Sequence, residues 1–173
     1  AMDQHQRNQE TDILDNIVTV EINNQTIREL GQWPWDRETL GNEIIKLYES
    51  GASLVVVPIL FADPDRGGKD TFFANVLKQT PTIIGQIPSN DKSNSGVVRG
   101  VASIGADWIP WVYSYPGVVG PIPELAKNAN AVGMMIIAPE RDGVVRRMPL
   151  VVAVDGKLYP SMSMEILRMA AGD

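Results

Sequence analysis

Asp63-Pro64-Asp65-Arg66-Gly67-Gly68 is the stretch whose residue types come closest to chemistry. Two aspartates at i, i+2 have the oxygen ligands and the spacing to hold Mg²⁺ or Ca²⁺. An EF-hand register starting at Asp63 needs a ligand at position 67 and a Glu at position 74; Gly67 and Ala74 stand there, so that motif fails. The other reading is a turn with solvated carboxylates, because Asp and Pro favour turns for local reasons. The stretch follows an apolar run, and ligands of open α/β sheets sit beyond the carboxyl ends of strands. Gly67-Gly68-Lys69 is not a phosphate loop: the spaced first Gly is missing, and Asp70 stands where Ser or Thr is needed.

Trp33-Pro34-Trp35 with Arg37 is the second constellation. Indole faces bind apolar or cationic ligands, and equally they cover cores. Trp108 and Trp111 flank Ile109-Pro110 and have the same two uses. Arg146-Arg147 is expected on a strand, where neighbours point to opposite faces. One of them can then meet a carboxylate or phosphate, or both discourage edge pairing. The only histidine, His5, lies in a polar leader, so no His-based triad, proton shuttle or metal site belongs to the fold. The absence of cysteine excludes disulfides, zinc-thiolate sites and a Cys nucleophile.

Several elements must position these residues. Ile17, Val18, Val20 and Ile22 predict a first strand over Asn16–Ile22, and Asn23–Leu30 a short helix closed by Gly31. Leu40, Ile44, Leu47 and Tyr48 share one face of a helix over Arg37–Ser50. Ser53–Val57 reads as a strand buried on both faces. Lys69–Gln79 reads as a helix with Phe72, Phe73, Val76 and Leu77 inward, and Thr82–Gln86 as a third strand. The polar stretch Pro88–Gly96 reads as a loose loop. Weaker strand signals fall at Val98–Ser103 and Trp111–Tyr115, and a proline-led helix is expected over Pro121–Asn128. Asp142-Gly143 and Asp155-Gly156 each sit between apolar runs, the sequence signal of a hairpin. A Tyr-Pro-Ser step then opens a last helix over Pro160–Ala171. The expected fold is a three-layer α/β domain. Its mixed sheet has parallel early strands and antiparallel C-terminal hairpins, with helices on both faces.

The 173 residues suit one domain with its own core, expected over 16–173. Ala1-Met2 reads as an expression scar and the rest of 1–15 as a polar leader. A net charge of −6 argues against nucleic acid and against docking on an anionic membrane face. No run reaches the ~18 apolar residues of a membrane span.

The wording of the chain resembles a family. Leu30-Gly31-Gln32-Trp33-Pro34-Trp35-Asp36-Arg37, then Gly51–Asp65, then Asp142-Gly143-Val144-Val145-Arg146-Arg147 through Gly156-Lys157-Leu158-Tyr159-Pro160-Ser161 look like the CHASE2 domain. The likeness covers about Ile17 to Met169. Asp36 replaces the usual second Pro and Val57-Pro58 the usual Phe-Asp, so a site relying on that Asp is altered here. The resemblance implies a non-enzymatic, extracytoplasmic sensor of a bacterial transmembrane receptor. Such a domain hangs from flanking spans and reports to a cyclase or kinase output. Expected partners are a small-molecule or protein ligand and a second copy in a homodimer, with no cofactor. The candidate ligand residues are Trp33, Trp35, Arg37, Asp63, Asp65 and Arg66, at the carboxyl ends of the early strands. The alternatives are a metal-dependent α/β enzyme using Asp63 and Asp65, and a domain used only for dimerisation.

Overall fold

The computed structural model describes residues 16–93, 95–98 and 108–172. The chain divides into two compact units, Ala1–Trp35 and Asp36–Asp173. The expected leader, 1–15, lies outside the described residues.

In the first unit, helix α1 spans Asn24–Leu30. Asn23 caps it by accepting from the N–H groups of Gln25 and Thr26, while Thr26 Oγ1 accepts from Asn23 N–H. Gly31 ends it at φ 96°, a conformation that favours glycine. The predicted first strand, Asn16–Ile22, does not form. Alternating apolar residues supply a strand's faces, but a strand also needs a ladder partner, and none pairs with these residues among those described.

The second unit opens with helix α2, Arg37–Glu49, capped by the Asp36 carboxylate, which accepts from Thr39 N–H at 2.7 Å. Strand β1 spans Val55–Leu60 rather than Ser53–Val57, running through Pro58. It is buried only at Val55, not on both faces, because it is a sheet edge, where a proline's missing N–H costs nothing. Helix α3 (Asp70–Gln79) buries Phe73, Ala74, Val76 and Leu77. Strand β2 (Thr82–Ser89) is the centre of the sheet: its first five residues are buried. It pairs parallel with β1 and with β5 (Ala131–Met134), and antiparallel with β4 (Gly117–Val119). Helix α4 (Pro123–Asn128) carries the chain into β5. Helices α3 and α4 pack on each other, as consecutive crossovers in one direction require. Gly41 lets α2 approach α3: a Cβ there would stand 2.8 Å from the Phe72 ring.

A second ladder joins β3 (Ser114–Tyr115), β6 (Val151–Val154) and β7 (Lys157–Pro160). Strands β6 and β7 form the hairpin expected at Asp155-Gly156, whose φ values of 46° and 72° are both positive, as a type I′ turn demands. A parallel bridge, Met134 to Ser161, sets the end of β7 beside β5. Val118, Met134, Ile136, Val152, Val154 and Tyr159 make one core between the two ladders. Helix α5 (Met162–Ala170), capped by Ser161, packs on β5 over Gly133. The domain is thus an open α/β fold with mixed sheets and surrounding helices.

The hairpin expected at Asp142-Gly143 is only half made. Gly143, at φ 80°, sits in a real turn, yet residues 135–150 form no strand, so Arg146 and Arg147 are not on one. Arg146 instead turns inward to pair with Glu140 at 3.2 Å and Asp142 at 2.8 Å, closing the turn on itself. The stretch expected to be a loose loop is also tied down. Strand β2 takes its first residues as far as Ser89, and the buried Gln86 acts as a surrogate backbone. Its Oε1 accepts from Val97 N–H at 2.9 Å and its Nε2 donates to Val97 O at 3.1 Å. Ser93 and Ser95 bond along Val118 and Gly120. Side chains at Gly117 and Gly120 would collide with the backbone of Asp91, Ser93 and Ser95. The strand expected at Val98–Ser103 lies largely outside the described residues. Of Trp111–Tyr115, only Ser114–Tyr115 is strand, preceded by a 3₁₀ turn over Ile109–Trp111.

Candidate functional site

Strand β1 delivers the chain at its carboxyl end to Phe61, and the Asp63–Lys69 loop then returns it to α3. The loop is organised by Asp65, whose carboxylate accepts from the first N–H of α2 (Arg37, to Oδ1, 3.4 Å) and from Lys69 N–H ahead of α3 (to Oδ2, 3.1 Å). One carboxylate therefore accepts from N–H groups at two helix starts, where the partial positive charge of each favours an anion. The Asp65 backbone takes part too: its carbonyl accepts from Gly68 N–H at 3.0 Å.

Arg37 crosses this arrangement from α2. Its Nε pairs with Asp70 Oδ1 at 3.2 Å, and its Nη2 donates to Asp63 O at 2.9 Å. The other Asp70 oxygen accepts from Asp65 N–H at 2.8 Å. The guanidinium lies over the Phe61 ring, with Cζ 4.4 Å from the centroid, and Phe61 packs edge-on against Phe73 at 5.1 Å. The side chains of Arg37 and Asp70 are 12% and 13% exposed, so this pair is shielded where most surface pairs are not. At the rim, Lys69 Nζ reaches Glu38 at 2.9 Å, and that bond raises the lysine's pKa. The Asp36 carboxyl is held below its usual range, first by the Thr39 N–H it accepts.

Of the six residues expected at a site, the structure gathers Arg37, Asp63 and Asp65 into one cluster. Arg66 stands on the same loop, exposed. Trp33 and Trp35 belong to the first unit, where their rings meet edge to face at 5.5 Å and Trp35 Nε1 donates to Gly31 O at 2.8 Å. Asp70 and Phe61 are members that the sequence did not announce. Asp70 carries one local sign, an acidic residue in the first turn of a helix; nothing in the spacing ties it to Arg37, thirty-three positions away.

The chemistry left to the cluster is narrow. Both oxygens of Asp65 and both of Asp70 accept hydrogen bonds that hold the fold. The Asp63 carboxylate and the Arg66 guanidinium stand on exposed residues. Among the described residues, no group of three or more His, Cys, Asp or Glu stands together as a metal site.

The model of the CHASE2 domain family matches residues 1–173, the whole chain. The chain belongs to the CHASE2 family. CHASE2 is a family of extracytoplasmic sensory, non-catalytic domains of transmembrane receptors. No curated protein and no solved structure matches the chain. In this CHASE2 domain, no helix among the described residues is long and apolar enough to cross a membrane. Trp33-Pro34-Trp35 follows α1 in the chain and precedes Asp36, the cap of α2, and Asp142–Arg147 is the Arg146-clasped turn.

Proposed function

We propose that this CHASE2 domain is the ligand- or partner-binding input of a bacterial transmembrane receptor. Its state is relayed through flanking membrane segments to a cytoplasmic cyclase or kinase, and the receptor works as a homodimer. The observation that carries the reading is the construction of the Asp63–Lys69 loop. A shielded ion pair and a carboxylate bonded to N–H groups at two helix starts hold its frame, while Asp63 and Arg66 are exposed and carry opposite charges. A rigid frame presenting two open charges suits recognition of a zwitterionic or ionic ligand, because little ordering entropy is lost on binding. Arg37 and Asp65 support that site from behind, and Trp33 and Trp35 offer a separate aromatic contact on the first unit. Metal-dependent catalysis finds less support, since Asp65 is committed to two helix starts.

The test uses the full-length receptor in its native membrane. Asp63→Asn and Arg66→Gln should each change the receptor's output, basal or stimulated, while leaving the melting temperature of the isolated domain unchanged. Ligand binding transmits only if it favours one state over another, so unaltered output in both variants would remove this loop as the input.

A further inference from the structure

The excursion between β5 and β6, residues 135–150, sets local sequence against local structure. Apolar runs flank Asp142-Gly143 as in a hairpin, and the turn forms. Gly143 N–H donates to Glu140 O at 2.9 Å, and Glu140 N–H to Val144 O at 3.0 Å. The arms make no ladder, and side chains that a paired hairpin would cover stay open. Ile137 is 71% exposed, Met148 54% and Leu150 51%, with Val144 and Val145 exposed between them. Just before, Ile136 is in the core at 4%, so the arm leaves a packed anchor. Strand directions place more apolar surface at the same end: β3 runs antiparallel to β5, and the exposed Trp111 and Tyr113 precede it. Local choices that contradict the isolated fold mark sites under another constraint. Exposed apolar side chains gathered along one segment mark a contact.

Charge selects what makes that contact. The turn carries both signs: Glu140 and Asp142, and an exposed Arg141 with no partner among the described residues. Glu140 engages Arg146 through Oε2 alone, which leaves Oε1 open. An anionic surface would be met by cations only. A two-fold axis beside the turn instead sets each Arg141 against the other copy's Glu140 while the apolar arms face each other, as an isologous interface requires. We propose that the 137–150 arm is the surface by which this domain binds a second copy of itself. The proposal builds on the homodimer in the receptor reading and gives it a location.

Sedimentation of the isolated chain, which involves neither membrane nor output, tests this apart from that reading. A concentration-dependent dimer is expected, weakened roughly tenfold or more in Kd by Ile137→Asp or Met148→Asp, with the variants' far-UV circular dichroism unchanged. Arg141→Glu should weaken it too. Because the chain lacks cysteine, Val144→Cys supplies one thiol that should cross-link two copies on oxidation. Monomers at every concentration would overturn the proposal, as would a dimer indifferent to both the apolar and the charge substitutions. So would a monomer that binds phosphatidylglycerol vesicles through Ile137.

Discussion

Arg37 carries more of the second unit's local order than any neighbour on its helix. It joins α2 to the start of α3, to the backbone at Asp63 and to the Phe61 ring. Removing it leaves Asp70 a shielded carboxylate without its counter-charge. Arg37→Ala should therefore destabilise the domain by about 3 kcal/mol, measured by urea unfolding. Arg37→Lys should recover less than half of that, because an ammonium reproduces neither the fork nor the ring contact. A loss below roughly 1 kcal/mol would place the pair among ordinary surface pairs. Asp142 gives a different residue-scale test. The Arg146 guanidinium, then the Val144 N–H, lower its pKa from the ordinary 3.8 to about 2. The folded pKa lies below the unfolded one, so the clasp's stabilisation is present above pH 4 and fades as pH falls through about 2. Carboxyl chemical shifts should show that low midpoint, and Arg146→Gln should return it toward the ordinary value.

At the scale of elements, the legible parts were those whose signals are local. Asn23 and Gly31 bracket α1, Leu40 and Ile44 give α2 its buried face, and Asp155-Gly156 turns β6 into β7. Elements that depend on a distant partner carry no complete local signal. Asn16–Ile22 has a strand's alternation but no ladder. Strand β1 runs three residues past the expected Val57, through Pro58, because at a sheet edge a proline's missing N–H costs nothing. Asp142-Gly143 makes its turn but not its arms. In the polar stretch before Val98, composition hid a tether: Gln86, in the middle of a buried strand, holds both polar groups of Val97. Gln86→Leu should cost about 2 kcal/mol, since it strands buried polar groups. It should also speed amide exchange at Val97 well beyond that at Ile83. Equal exchange in the variant and the parent would show that the tether does not hold the loop. The site divided the same way. Asp63 and Asp65 announced themselves by type and spacing, whereas the pairing of Arg37 with Asp70 exists only once α2 and α3 are packed.

At the scale of the whole molecule, the fold is an open α/β domain that commits its acidic cluster to architecture and leaves two opposite charges outward. The half-buried carboxylates of Asp65 and Asp70 are bonded to backbone N–H groups and to Arg37. A sensory input needs a fixed frame with groups free to meet an external partner. Family membership gives that frame its setting on the outer side of a membrane. The absence of cysteine from the chain makes the setting directly measurable. In the full-length receptor, with any cysteines outside this segment replaced, Arg66→Cys places one thiol on the exposed loop. A membrane-impermeant maleimide should label it in intact spheroplasts as completely as after permeabilisation. Labelling that appears only after permeabilisation would contradict an extracytoplasmic sensor.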